Sequence, residues 1–371
     1  MESNENTLLT NSVRDRALRF FQTFRTPATA TFFGLLVGGM VITWSGGNGL
    51  EGVRQLIIGG YGSVYYLTTT LTRATPIIFA GLASALSWGS GYETMGISGQ
   101  MTLGAFVSAV VAVNVTGPVW LVMLSAILAG VITGMAYSMI AAWISLKFNA
   151  YLLIVTLMMN YLAENIASYF TNYVFKDPLA VDNLAIQTQK IENGILPRLL
   201  QGYTLHFGFI IALLCVFAIL FITKKTSFGY EAGMNGMNFR FSLYGGVNSK
   251  RTMYRILMLS GGIAGLGGAV EVLGSRYRFI DKMITSPGYA WNGITASLMS
   301  SNHPIGILFS SIFLSGLTTG GAAVERNLQI PQEITSIIQG VLTIFVTAQF
   351  IFKFRKNGKG QVGKKLRREG M

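Results

Sequence analysis

Glu93 and Gln100 stand in GLASALSWGSGYETMGISGQMTLGAF, residues 81–106, among Gly89, Gly91, Gly96 and Gly99. The flanks are apolar, so a carboxylate and an amide fall where a bilayer would surround them. Ionisable groups at that depth are costly and mark solute or ion paths by default. Glycine-loosened backbone there must be buried in protein or line a water-filled cavity. Glu93, Gly96, Gly99 and Gln100 are therefore candidate path residues. The competing reading is close helix packing by the glycines, with Gln100 bonding a neighbouring backbone. In YLLIVTLMMNYLAENIASYF, residues 151–170, Asn160 and Glu164 lie one turn apart and share a helix face. A place on the path and a helix-to-helix hydrogen bond suit that pair equally well.

SPGYAWNGITASLMSSNHPIG, residues 286–306, repeats the pattern of loosened backbone with polar side chains. Trp291 offers a flat face for stacking on a base or sugar ring, although an interfacial belt position would also suit it. Asn292 adds an amide beside it. The regions 81–105 and 286–310 fall one in each half of the chain. Paired interruptions of this kind are the sequence pointer to a transporter site.

No catalytic or metal chemistry is read. The chain has no GxxxxGK[ST], GxSxG, HExxH or paired-Cys pattern. Its single Cys215, with His206 and His303 far apart, forms no ligand cluster of recognised spacing. No cofactor is expected, and any energy for uphill transport must come from an ion gradient or a separate ATPase.

The elements that position these groups follow from composition. Of 371 residues, 51% are hydrophobic and 12% charged, against about 25% charged in average soluble domains. A span of about 20 apolar residues crosses a bilayer. On that ruler 28–45, 119–146, 150–172, 205–223, 253–273 and 333–352 are clear spans. The segments 74–90, 98–116, 288–300 and 305–323 are shorter or interrupted. The expected fold is an all-α polytopic membrane protein of about ten transmembrane helices with two broken, Gly-rich segments. Residues 46–72 are expected to be interfacial or re-entrant, and Glu271 to be solvated or paired near a membrane border.

Most of the 28 Lys and Arg fall on one side of that topology, which the positive-inside rule makes cytoplasmic. They include a basic N-terminal segment, 1–26, and a basic tail, 353–371, flanking a membrane domain over 27–352. Both termini are then cytoplasmic. The net charge of +13 reads as a topology signal with attraction to anionic lipid, not as a nucleic-acid site. One stretch lies between spans and reads either as a solvated linker or as a docking element: GYEAGMNGMNFRFSLYGGVNSKR, 229–251, combines charge, turn residues and several aromatics. An amphipathic surface helix docking on a partner explains that mixture.

That stretch carries a resemblance. FGYEAGMNGMNFRFSLYGGV, 228–247, resembles the cytoplasmic coupling segment of ABC importer permeases of the branched-chain amino acid, ribose and nucleoside group, where a pattern like FGxELRAVGxNPxAARYAGI recurs. Matching positions are Phe228, Gly229, Tyr230, Glu231, Gly236, Asn238, Arg240, Tyr244 and Gly246; Gly233 replaces the usual Arg and Phe239 the usual Pro. RATPIIFAGLA (73–83), TMGISGQMTLGA (94–105), TLMMNYLA (156–163) and LPRLL (196–200) are similar to further stretches of that group, with Thr94 and Ser98 departing from its Asn and Glu. SPGYAWNGITASLMSSNHPIG also matches, with Asn292 for the usual Asp.

The resemblance, which points to the nucleoside or simple-sugar branch working with basic-membrane-lipoprotein receptors, implies the membrane subunit of an ATP-driven importer in a bacterial cytoplasmic (inner) membrane. It implies a cytoplasmic ATP-binding subunit on the coupling segment 224–251, which would bind the ATP, and a second permease chain, generally a different one. It also implies an extracytoplasmic substrate-binding lipoprotein. Nucleosides come first as solutes, with simple sugars or riboflavin behind. A gradient-driven secondary transporter is the rival, and only Glu93 and Glu164 could serve its acid relay.

Overall fold

The computed structural model describes residues 48–178 and 186–328, with isolated positions between 36 and 44 and between 336 and 341. The basic segments 1–26 and 353–371, and most of the expected spans 28–45 and 333–352, lie outside the described residues. Among the described residues every regular element is helical, with three isolated β-bridges and no strand. In order these are α1 Gly49–Tyr61, α2 Val64–Gly89, α3 Ile97–Asn114, α4 Val119–Phe148, α5 Leu152–Tyr173 and α6 Gly208–Lys225. Then follow α7 Ser227–Met237, α8 Phe239–Tyr244, α9 Ser249–Glu271 with a π-helical turn Val272–Arg276, α10 Tyr289–Met299 and α11 Pro304–Leu328.

Five of these are long and apolar enough to cross a membrane: α3, α4, α6, α9 with its π turn, and α11. Helices α2 and α5, of 26 and 22 residues, are long enough but carry more polar side chains. The 11 residues of α10 reach only about 16 Å at 1.5 Å per residue, so the expected span 288–300 does not cross by itself. The described residues thus do not add up to ten spans. The Tyr- and Thr-rich stretch expected to be interfacial or re-entrant is helical, forming α1 and the first turns of α2.

Burial separates the centre from the rim. The α9 span is 83% buried, whereas the α4 and α6 spans are 22% buried. Helix α9 packs on α2, α3 and α4. Its crossing with α4 is so close that a Cβ on Gly134 would meet the Gly261 carbonyl oxygen, and one on Gly265 the Gly130 carbonyl oxygen. Small residues at crossings are how membrane helices gain contact without a hydrophobic drive between them. Ser138 Oγ donates to Leu257 O, and Ser260 Oγ to Ala83 O at 2.8 Å, so the hydroxyls buried there are satisfied.

The two ends of the bundle are built differently. At one end, Thr226 Oγ1 accepts from Gly229 N–H, Asn238 Oδ1 from Phe241 N–H and Asn248 Oδ1 from Arg251 N–H, each at 3.1 Å. These are N-caps, so the polar residues that broke the apolar pattern start three successive helices. At the other end, residues 186–207 pack on the chain that follows α9: Thr188 N–H donates to Phe279 O and Ile191 N–H to Tyr277 O. Tyr277, at φ 58°, stops the π turn there.

Candidate functional site

Helix α2 joins both ends. Ser63 Oγ caps its start, and its first half turns Thr69, Thr72, Arg73 and Ile77 toward a cavity of about 530 Å³. Pro76 lies inside the helix and has no N–H to bond the Thr72 carbonyl, which loosens the backbone beside the cavity. Across from α2, α11 contributes Ser315 and Thr318, and the π turn contributes Ser275 and Arg276. The half-length α10 and the residues before it supply Ser286, Tyr289 and Asn292, while Thr204 comes from the loop before α6. Ligand pockets typically hold about 300–1,000 Å³, so a solute the size of a nucleoside or sugar fits.

An ion pair between a buried carboxylate and a half-exposed guanidinium braces one wall. Glu271 is 1% exposed; its Oε1 accepts from Tyr289 O–H at 3.1 Å and lies 3.6 Å from Arg276 Nε. This is the pairing expected for Glu271, and it fixes both Tyr289 and Arg276 at the cavity. Removing Arg276 would strand the buried Glu271 carboxylate. Among the described residues no carboxylate lines the cavity. Toward α7 the space closes: Ile78, Phe79, Leu82, Ala296 and Ile307 are fully buried, and α2 meets α10 where Gly81 faces Gly293.

At its far end α2 is latched to α7. Asn235, itself buried, donates from Nδ2 to Ser90 O at 2.7 Å and accepts from Ser242 Oγ at 3.3 Å. A Cβ on Gly236 would meet the Gly89 carbonyl oxygen. Tyr92 O–H donates to Ser249 O at 2.9 Å, tying the α2–α3 turn to the start of α9; burial pushes its hydroxyl above the usual range. In the turn between α10 and α11, burial and then the neighbouring Lys224 hold His303 below its ordinary value.

The expected path residues fall in three places. Asn292 lines the cavity. Trp291, one position before it, is 55% exposed and does not line it. The first broken segment gathers around Asn160: Gly99 N–H donates to Asn160 Oδ1 and Asn160 Nδ2 to Met95 O, both at 2.8 Å. Gly96 is buried beside Thr156, and Gln100 is buried with no partner for its Oε1 among the described residues. Glu93 is exposed, 3.5 Å from Tyr151 O–H, and Glu164 is half-buried on α5. The two broken segments do touch, through Gly81 and Gly293, but Asn160 and Asn292 are not brought together at one cavity.

Of the expected coupling residues, Gly229 is buried, Glu231 is half-buried and Tyr230, Arg240 and Tyr244 are exposed. Asn238 caps α8, Gly246 sits at φ 82° in the turn that follows it, and Gly236 meets α2. Together with Met237, Phe239, Phe241 and Leu243, the exposed aromatics leave an apolar surface on α7 and α8. Sequence reasoning missed Arg73, Thr72, Tyr289, Arg276 and Asn235. A Pro and an Arg inside one apolar helix were the available signal for the first two.

Helices long and apolar enough to cross a membrane, grouped around a polar cavity, are the architecture expected of a membrane transport protein. The family described as "Branched-chain amino acid transport system / permease component" matches residues 66–347, and the chain belongs to that permease family. It is a multi-pass membrane protein. It is 27% identical to the guanosine ABC transporter permease protein NupP of Bacillus subtilis (strain 168), over 88% of this chain and 94% of that one. It is 29% identical to the nucleoside ABC transporter permease protein NupB of Lactococcus lactis subsp. cremoris, over 88% and 91% of the two chains. It is 28% identical to the glucose ABC transporter permease protein TsgB13 of Haloferax volcanii, over 90% and 89%. No solved structure matches it significantly.

Proposed function

We propose that this chain is the membrane subunit of an ATP-driven importer for nucleosides or closely related small polar solutes. The observation that carries this is the cavity: uncharged hydroxyls, an amide and two arginines, with no acid among the described residues that line it. Such a lining suits a neutral solute rich in oxygen and nitrogen acceptors, and two relatives are named for nucleosides. The glucose permease among the relatives supports a sugar as the second reading. Neither Glu93 nor Glu164 faces the cavity, which argues against an acid relay driven by an ion gradient.

In this reading a cytoplasmic ATPase docks on the exposed face of α7 and α8, placing that end in the cytoplasm and the cavity toward the receptor-bearing side of the inner membrane. Substrate delivered by an extracytoplasmic lipoprotein enters the cavity, a second permease chain completes the path, and both termini lie inside. ATP binding need only favour one of two packings of α2 to move the solute. The test is uptake of labelled inosine and of labelled glucose by cells carrying the whole transporter, with the partner ATPase intact or inactivated. ATPase-dependent inosine uptake supports the reading; glucose uptake alone moves it to the sugar branch. Uptake that persists without the ATPase overturns it.

A further inference from the structure

Arg73 occupies a position that a simple polar lining does not require. It and Thr69 are the two residues shared between the main cavity and a neighbouring one of about 530 Å³, which also holds Tyr65, Tyr66 and Glu325. Arg276 has its charge matched by Glu271. Arg73 has no ion pair among the described residues, Glu325 included. An unmatched guanidinium on a cavity wall inside a membrane protein's helix bundle is a functional candidate by default.

The hydroxyls around it sharpen the point. Thr69 Oγ1 donates to Tyr65 O at 2.8 Å, and Thr72 Oγ1 to Thr68 O at 2.9 Å with Thr204 Oγ1 3.3 Å away. Each has spent its one proton on its own helix, so toward the cavity these oxygens offer lone pairs. They suit the hydroxyl donors of a sugar ring. Ser315 Oγ, without a partner among the described residues, and the Asn292 amide can each donate to a solute acceptor, but Arg73 supplies a planar fork of donors.

We propose that Arg73 is a specificity-determining residue that reads two adjacent, coplanar acceptor atoms on the solute. On a nucleoside these are O6 and N7 of a 6-oxopurine, the edge an arginine grips with two parallel hydrogen bonds. The threonine oxygens then take the ribose hydroxyls. This rests on the nucleoside reading above and adds which base is preferred and why. A cationic solute is excluded, because the cavity already holds an unmatched positive charge.

The experiment uses cells carrying the whole transporter and labelled inosine, with unlabelled inosine and 7-deazainosine as competitors; the latter replaces N7 by C–H and keeps O6. In the native protein 7-deazainosine should compete roughly tenfold less well, because the forked contact loses its N7 bond and leaves one guanidinium N–H facing a C–H. In Arg73→Lys and Arg73→Gln, checked for normal membrane level, the difference should shrink below about twofold, because neither side chain can fork onto both atoms. Equal competition in the native protein overturns the proposal without any variant, and so does a tenfold difference that survives in Arg73→Lys. Both of those results leave nucleoside transport standing. Stronger displacement of inosine by glucuronate than by inosine itself also overturns it, in favour of a carboxylate as the paired acceptor. Failure to take up any nucleoside removes the reading beneath it, and this proposal with it.

Discussion

The two glycine-interrupted regions look alike in sequence and are used in opposite ways. Around 81–105, backbone polar groups are answered by protein, although Gln100 Oε1 is buried with no partner among the described residues: Asn160 closes onto Gly99 N–H and Met95 O at 2.8 Å each, and Gly104 abuts Gly265 of α9. Around 286–310, the short α10 leaves Ser286, Tyr289 and Asn292 facing open space. The rule that polar backbone in a membrane needs protein or water is met by protein in one half and by a cavity in the other. The pattern locates polar depth, and packing decides which answer it receives.

The strongest test of that contrast is in the packed half. Gly265→Val puts atoms into the Gly130 carbonyl, and overpacking a tight core costs about 1–3 kcal/mol or more. The variant should fall at least tenfold in membrane level and give no single peak in detergent gel filtration. A normal peak would show that this crossing can part without harm. Next comes the latch: Gly236→Ala sets a methyl against the Gly89 carbonyl. Here the chain should insert normally while uptake drops several-fold or more, because α7 loses its seat on the helix that lines the cavity. Full uptake would mean that α7 acts on some other element.

A paired comparison comes next in size. Asn160→Ala removes both bonds that hold the first segment, costing about 1–3 kcal/mol for groups left unsatisfied. Its signature should be a melting temperature several degrees lower in detergent, with the apparent KM of surviving protein within twofold of normal. Asn292→Ala should do the reverse, raising KM several-fold with no change in melting. If the two signatures swap, the assignment of packing to one half and path to the other is inverted.

How much of this was legible depends on how local the signal is. The caps at Thr226, Asn238 and Asn248 and the coupling-type motif lie within a few residues, and the stretch 228–247 carried the family resemblance jointly with other short stretches such as 94–105 and 286–306. The cavity residues are spread from Thr69 to Thr318, and Thr and Ser in a membrane helix read equally well as packing groups that bond their own backbone. Arg73 sat at the head of a recognised stretch, yet nothing local showed that it would lack a partner while Arg276 gained Glu271. Hydropathy also hid the start of α2, because Thr68, Thr69, Thr70 and Thr72 lower the average over residues that are helical. Residues that bond only their immediate neighbours are read from sequence; residues that meet across the bundle are not.

The smallest effect is expected at Trp291, and it decides a reading that the sequence left open. A stacking platform should sit against the solute, but Trp291 is 55% exposed and its neighbour Asn292 takes the cavity position. Successive helical residues point about 100° apart, so the two cannot both face the solute squarely. Trp291→Ala should therefore leave inosine KM within twofold and melting nearly unchanged, as for surface substitutions worth within about 0.5 kcal/mol. A KM rise of fivefold or more would return the indole to the path, and would mean that α10 rotates toward the cavity when solute is bound. Combining it with Arg73→Gln separates the two cases. If Trp291 lies outside the path, its small effect stays the same in the Arg73→Gln background, since sites without shared partners add; if the indole stacks on a base that Arg73 orients, the two effects will not add.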